Sequence, residues 1–396
     1  MKYSQKTLVK IAKRENNTKR NYLVVNPLQG KHVPVSPFKA LALFSDLADV
    51  IRGNYAGEKL LLIGFAETAT AIGAQAAIAL GTEYIQTTRE VMKGVDYLFF
   101  SEEHSHATEQ KLVKNDMDGA VGRVDRIVFV EDEVTTGRTI LNIISVLQKE
   151  YRKDIKFAVA SILNGMSEER RMLYEEKSIN LHYLVKTDHS RYGEIADTFA
   201  GDGAYKKCFT DAGEYRDYII GNRKYKDCAI GDGRDTNYSD YVQQKVPVVP
   251  IAGRMDARRL VHAHAYEAAC RKLFEDISAA HPLPVKERIL VVGTEEFMFP
   301  ALFVGAELEK LGNEVKCHST TRSPIIVSTE EQYPLHARYE LRSLYDADRK
   351  TFLYDIDAYD QVLVVTDAEL SEDEGVHSLI HALAVQNKNI TVFRWC

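Results

Sequence analysis

The feature that most constrains this chain is Ile127-Val-Phe-Val-Glu-Asp-Glu-Val-Thr-Thr-Gly-Arg-Thr139, where an apolar run meets carboxylates and then opens into a turn of small residues. The unbroken apolar run over 127–130 reads as a strand buried on both faces, the mark of a parallel sheet covered by helices. From 139 to 150, Ile140, Leu141, Ile143, Ile144 and Leu147 fall on one helical face, with Asn142, Ser145 and Gln148 outward. Strand, loop and helix N-terminus in that order predict an α/β fold.

A loop at the carboxyl end of a parallel strand gathers backbone N–H groups and the positive end of the next helix at one point, which suits a phosphate. Thr135, Thr136 and Thr139 add hydroxyl donors, and Gly137 lets the backbone turn tightly beside Arg138. Glu131 and Asp132, just upstream, are acceptors suited to sugar hydroxyls. A phosphorylated ribose satisfies both halves of such a site.

The stretch Val130-Glu-Asp-Glu-Val-Thr-Thr-Gly-Arg-Thr139 resembles the phosphoribosyl pyrophosphate (PRPP) loop of type I phosphoribosyltransferases, and its Thr-Thr-Gly ending is closest to that of the orotate enzyme. His318-Ser-Thr-Thr-Arg-Ser-Pro324 resembles the signature of the TRSP domain, which follows such a transferase domain in proteins encoded near tellurium-resistance and stress-response genes. The resemblance implies a phosphoribosyltransferase-like parallel sheet flanked by helices, with a second related α/β domain. A composition shift toward Tyr, Asp, Gly and Lys over 186–246 marks a connecting or hood segment between a transferase domain over 1–185 and a TRSP domain over 247–396, which the internal repeat makes a degenerate transferase-like half. The resemblance further implies Mg²⁺-dependent transfer of ribose 5-phosphate between PRPP and a nucleobase-like acceptor with exchange of pyrophosphate. Glu131 and Asp132 would hold the ribose hydroxyls, Thr135 to Thr139 the 5′-phosphate, and the loop after Gly64 with Arg89 the pyrophosphate; Asp132 is the candidate metal ligand.

Upstream, 60–63 reads as a strand, followed by a glycine-bounded loop from Gly64 to Gly73, a helix over 74–80, a strand over 83–86 and then Thr87-Thr-Arg89. Gly64, Phe65, Ala66, Glu67 and Thr68 fall where the family keeps its pyrophosphate loop, with Glu67 replacing the basic or glycine residues of some members. A Walker A loop is excluded, since no Gly-Lys-Ser/Thr follows. Further strands are expected at 157–163 and 181–185. The polar passage over 90–118 takes the place of the mobile lid that the resemblance implies. His104, His106 and Lys111 are its candidates to touch pyrophosphate or transfer a proton, and a merely solvated loop is the alternative.

The last third repeats these landmarks in order. Val25-Asn-Pro-Leu-Gln-Gly-Lys31 is answered by Val248-Val-Pro-Ile-Ala-Gly-Arg254, each ahead of a helical stretch. Gly64 with Glu67 is answered by Gly293 with Glu296, Thr87-Thr-Arg89 by Thr320-Thr-Arg322, and Asp132 by Asp367. The halves part where chemistry is expected: Glu369, Glu372, Asp373 and Glu374 follow Asp367 and would repel a phosphate. Thr320, Thr321, Arg322 and Ser323 form a candidate second-half anion site, because Arg322 offers a bidentate fork and the hydroxyls add donors; a structural turn is the alternative.

A chain of 396 residues exceeds one ordinary core. Its net charge of −6 gives no global attraction for nucleic acid or membrane, and Tyr205-Lys-Lys207 and Arg223-Lys-Tyr-Lys226 sit in acidic surroundings. The basic N-terminal stretch through Arg20 lacks the apolar core of a signal peptide, and no stretch is long enough to span a bilayer. The expectation is a cytoplasmic homodimer acting on small molecules. Cys208, Cys228, Cys270, Cys317 and Cys396 form no Cys-x-x-Cys pair, which argues for reduced thiols and against structural zinc. The rival to an enzyme is a non-catalytic sensor of PRPP or a nucleotide, and a scaffold of two inactive halves is weaker because the first motif is intact. Turnover would need His104, His106 or Lys111, whereas a sensor would bind without them.

Overall fold

A computed structural model of the protein describes residues 2–15, 17, 20–101, 110–151, 154–209, 217–220, 223–226, 245–283, 285–370 and 373–396. They form two compact units that do not follow chain order. The first comprises Met1–Leu8, Phe38–Arg191 and Met255–Lys272, and the second Val9–Pro37, Tyr192–Arg254 and Leu273–Cys396.

The first unit is built on a six-stranded sheet in the order Val261–His262, Glu83–Gln86, Leu60–Gly64, Arg126–Val134, Lys156–Asn164 and Asn180–Lys186. All neighbours are parallel except the short edge strand Val261–His262, which is antiparallel to Glu83–Gln86. Ile127, Val128, Phe129 and Val130 are all fully buried, which is why this strand carries no alternation. The alanine-rich helix Thr70–Leu80 lies close against the sheet. A Cβ on its Gly73 would stand 2.8 Å from Tyr84 Cε2 and 3.1 Å from Gly64 Cα, so only glycine permits that approach.

The motif strand runs further than the sequence suggests. It continues through Glu131, Asp132 and Glu133 to Val134, paired by Glu131↔Ser161, Glu133↔Leu163 and Val134↔Asn164. The carboxylates read as loop residues therefore sit on the end of a strand, because pairing with a long neighbour outweighs their low strand preference. The helix starts at Arg138, one residue earlier than expected. On it Ile140, Ile143, Ile144 and Leu147 are buried, while Leu141 and Asn142 are both half-buried. Asn142 is drawn inward by bonds from Nδ2 to Ser101 O and Oγ at 3.0 and 3.1 Å.

The second unit has a five-stranded sheet, all parallel, in the order Val248–Ile251, Ile390–Trp395, Gln361–Thr366, Arg288–Gly293 and Glu314–Ser319. Leu290, Val292, Val362, Val364 and Val392 pack in one buried cluster with Leu379, Ile380 and Leu383 of the helix Asp373–Ala384. Ala204–Lys207, from the connecting segment, joins Ala337–Arg342 and Lys350–Tyr354 in a three-stranded sheet of this unit.

Four strands of each sheet take the same spatial order for the same sequence order, so Leu60–Gly64 corresponds to Arg288–Gly293 and Glu83–Gln86 to Glu314–Ser319. The correspondence reaches single hydrogen bonds. Thr87 N–H donates to Gly64 O at 2.9 Å and Thr320 N–H to Gly293 O at 3.1 Å. Ala66 N–H donates to Thr87 Oγ1 at 2.8 Å, and Glu295 N–H to Thr320 Oγ1 at 3.0 Å. One expected match fails. Tyr22–Val25 pairs antiparallel with Lys10–Lys13, whereas Val248–Ile251 extends the second sheet in parallel, so the two proline-containing segments are not equivalent. Their similarity lies in turn composition, which does not specify strand partners.

Cys208, Cys270, Cys317 and Cys396 are free thiols, and Cys228 lies outside the described residues. Among the described residues, no helix is long and apolar enough to cross a membrane.

Candidate functional site

Gly137 makes the turn from motif strand to motif helix with φ of 69°, a left-handed conformation that glycine adopts without penalty. A Cβ there would fall 2.2 Å from Tyr174 Oη and 2.5 Å from Met166 Cε. Tyr174 donates to Gly137 O at 2.6 Å and so fixes the turn from below; burial, above all, pushes its phenol up from the usual range. Thr135, Thr136 and Thr139 are half-buried around the turn and Arg138 is exposed. Arg138 N–H donates to Thr136 Oγ1 at 3.3 Å. The turn, its hydroxyls and the first N–H groups of the helix thus stand together, as the sequence predicts.

Beside it runs the loop after Gly64. Phe65 N–H donates to Val130 O at 3.1 Å, and the Phe65 ring lies 5.8 Å from Phe129 and 6.0 Å from Phe100. The peptide joining Ala66 to the buried Glu67 is cis. Gln110 Nε2 donates to Ala66 O at 2.7 Å, and its Oε1 accepts from Thr87 Oγ1, so Ala66, Thr87 and Gln110 close a ring of bonds. Thr68 Oγ1 donates to Asp132 Oδ1 at 2.9 Å, tying this loop to the motif strand. Gln110 has no motif signature, and its role was invisible in the sequence.

Lys111 lies on the strand Gln110–Val113 and is buried, its main chain exchanging bonds with Thr88 at 2.9 and 3.0 Å. Its ammonium stands 5.2 Å from the centre of the Tyr97 ring. Arg89, next to Thr88, is half-buried. His104 and His106 lie outside the described residues. Past the motif, Glu133 Oε1 lies 3.4 Å from His189 Nε2, which also bonds Thr187 Oγ1 at 2.7 Å. A cleft of about 720 Å³ lies at the opposite, amino end of the sheet, lined by Tyr55, Lys59, Thr82, Glu83, Arg123 and His262 among others. Its Arg123 and Glu83 pair with each other at 2.7 Å, and none of the loops above reaches it.

In the second unit, the counterpart loops carry charge of both signs. Arg322 lies 3.1 Å from Glu296 Oε1 and 3.7 Å from Glu295 Oε2, and Arg349 bonds Glu295 Oε2 at 2.7 Å. Both glutamates are buried. Thr320 and Thr321 are buried with hydroxyls that accept from Glu295 N–H and Ser323 N–H, and Ser323 is half-buried. Asp367 accepts from Arg254 at 2.9 Å and from Tyr345 Oη at 2.7 Å. Arg322 therefore faces two protein carboxylates in a region where a phosphate would need it.

Glu131 and Asp132 present hard oxygen donors beside the motif turn, while among the described residues no group of three or more His, Cys, Asp or Glu could enclose a metal ion. That donor set fits Mg²⁺ bound chiefly by substrate oxygens and one or two carboxylates, the usual habit of this ion.

Comparison with known proteins gives a match to each part of the chain. A family model described as phosphoribosyl transferase matches residues 8–193, and one described as the TRSP domain C-terminal to it matches residues 253–383. Similar solved structures include adenine phosphoribosyltransferase from Rhodothermus marinus, at 13% identity and TM-score 0.34 over 46% of this chain and 96% of that one. The enzyme from Leishmania tarentolae aligns at 14% identity and TM-score 0.35 over 48% and 88%. That from Trypanosoma brucei, in complex with AMP, pyrophosphate and ribose-5-phosphate, aligns at 14% and 0.35 over 45% and 76%. Among curated proteins there is no match. The two family matches lie in the order that the motifs take along the chain, which therefore carries a phosphoribosyl transferase domain followed by a TRSP domain.

Proposed function

We propose that this chain is a PRPP-dependent transferase that moves ribose 5-phosphate between PRPP and a nucleobase-like acceptor with exchange of pyrophosphate. The bond from Thr68 to Asp132 is the observation that carries the reading, because it sets the loop after Gly64 and the motif strand side by side, as a ligand with phosphates at both ends of a ribose requires. Glu131 and Asp132 accept from the ribose hydroxyls. The turn over 135–139 takes the 5′-phosphate on its hydroxyls and helix N–H groups. The loop over 64–68 and Arg89 take the pyrophosphate. Asp132, together with substrate oxygens, would hold Mg²⁺, which would supply charge neutralisation to the pyrophosphate.

In the forward direction the bond from the anomeric carbon to the pyrophosphate oxygen breaks, the pair leaves with pyrophosphate, and a base nitrogen supplies the pair for the new bond. Positive charge on the ribose is greatest between these events, and the carboxylates of Glu131 and Asp132 stabilise it. The remaining contribution is positioning. Lys111, with His104 and His106, is the proposed set for proton transfer and pyrophosphate contact. The protein is expected to act in the cytoplasm as a homodimer.

The test is a thermal-shift screen of nucleobases with Mg²⁺ and PRPP, followed by measurement of pyrophosphate release. Base-dependent release that Asp132→Asn abolishes is expected. Binding of PRPP without release for any base makes the chain a sensor, and absence of PRPP binding overturns the reading altogether.

A further inference from the structure

Each sheet carries one antiparallel segment on the same edge. In the first unit Val261 pairs with Tyr84, and in the second Val35 pairs with Cys317. Tyr84 stands two residues before Gln86, the partner of Gly64, and Cys317 two residues before Ser319, the partner of Gly293. The two edge segments therefore occupy equivalent positions. In chain order, however, they are exchanged, since Val35 precedes the first sheet and Val261 belongs to the stretch matched by the TRSP model.

In the second unit the edge segment brings a buried cation to the carboxyl ends of the strands. Lys31, four residues before Val35 and fully buried, donates from Nζ to Glu295 O at 3.0 Å and to Thr320 O at 3.1 Å. Glu295 and Thr320 correspond to Ala66 and Thr87, the residues that frame the proposed pyrophosphate side of the first unit.

The first unit's edge segment has its own buried cation. Arg258, three residues before Val261, is 4% exposed. Gln86 N–H donates to Ala257 O at 2.8 Å, which seats this segment beside the residue preceding Thr87. Asp256 accepts from Arg258 N–H at 3.0 Å and from its guanidinium at 3.2 Å. Arg259 grips Asp116 with two bonds at 2.6 and 2.8 Å, and Leu260 N–H adds a third at 3.0 Å. The segment is thus clamped on both sides of Arg258, so the guanidinium is held in place before any ligand arrives. A planar fork at the carboxyl end of a parallel strand matches a phosphate oxygen pair.

We infer that Arg258, from the TRSP half of the chain, is a binding residue for the pyrophosphate end of PRPP in the first unit. This rests on the transferase reading given above. It explains why the edge segment of the transferase sheet comes from beyond the transferase domain: the first site is complete only when the second half of the chain is present.

The test uses the full-length chain, with Mg²⁺–PRPP, pyrophosphate and ribose 5-phosphate as separate probes in calorimetric titrations. Arg258→Gln should weaken PRPP and pyrophosphate about 10- to 100-fold and leave ribose 5-phosphate unchanged. Arg258→Lys, which keeps the charge and loses the fork, should show a smaller loss confined to the same two probes, and it serves where the glutamine variant does not fold. Unchanged affinity for PRPP and pyrophosphate overturns the inference, as does an equal loss for all three probes, which makes Arg258 structural. Failure of the unaltered protein to bind PRPP instead removes the function proposed above, and this inference with it.

Discussion

Thr68 Oγ1 donates to Asp132 Oδ1 at 2.9 Å, so a side-chain bond to a carboxylate joins the loop after Gly64 to the end of the motif strand. Replacing Thr68 with valine keeps the shape and removes the donor. A hydrogen bond to a charged group is worth about 1.5 to 3 kcal/mol, and PRPP affinity should fall by about tenfold or more as the two loops lose their alignment. Asp132→Asn keeps an acceptor for Thr68 and loses the charge, so it should leave the unfolding temperature near that of the unaltered protein while weakening Mg²⁺–PRPP by a similar factor. Titration calorimetry with thermal unfolding separates the two variants, and unchanged affinity in both removes the site assignment.

Gly137→Ala tests the turn itself. An alanine at φ of 69° is strained by about 1 to 2 kcal/mol, and its Cβ would collide with Tyr174 and Met166, which adds about 1 to 3 kcal/mol of overpacking. Urea unfolding should show a loss of roughly 2 to 5 kcal/mol, and a loss below about 1 kcal/mol would show that the turn relaxes freely.

His318 sets a pH dependence in the second unit. Ser319 N–H donates to its Nδ1 at 2.9 Å and its Nε2 bonds Tyr354 O at 2.8 Å, an arrangement that suits the neutral ring. Burial, chiefly, pushes its pKa down from 6.5 to about 4. A histidine depressed in the folded state binds its proton more readily when unfolded, so its contribution is complete above pH 6.5 and is lost as pH falls toward 4. The full window is worth about 3 kcal/mol at most. His377, lowered to about 4 mainly by burial, acts in the same direction. Unfolding free energies at pH 7 and pH 4 should differ less in His318→Gln than in the unaltered protein; an equal pH dependence in the two contradicts this account.

Much of the first site was legible because its chemistry is local. The run from Val130 to Thr139 specifies strand, turn and helix within ten residues, and the spacing of Gly64, Thr87 and Asp132 recurs at Gly293, Thr320 and Asp367 because the same strands recur in space. What stayed hidden depends on distant partners. Val261 and Val35 form edge pairings too short to carry a period, so nothing in their surroundings predicts that each joins the sheet it does. Gln110 and Lys111 are polar residues in a buried strand; the polar composition of 90–118 suggests a lid or a solvated loop and does not show the bonds to Ala66, Thr87 and Thr88. Glu131 to Glu133 looked like loop residues because carboxylates are poor strand formers, and only the long neighbouring strand keeps them paired.

In the function proposed above, one fold occurs twice and the PRPP site once. The proposed 5′-phosphate turn of the first unit has hydroxyls, Gly137 and helix N–H groups, whereas the second follows Asp367 with Glu369 and Glu374, and its Arg322 is met by Glu295 and Glu296. Two like charges about 4 Å apart at a partly screened site repel by roughly 4 kcal/mol, enough to suppress binding by several hundredfold. Calorimetric titration of the full-length protein with Mg²⁺–PRPP tests this directly. A stoichiometry near one that vanishes in Thr136→Asp is the predicted result, and two comparable sites, or one that survives that substitution, would contradict it.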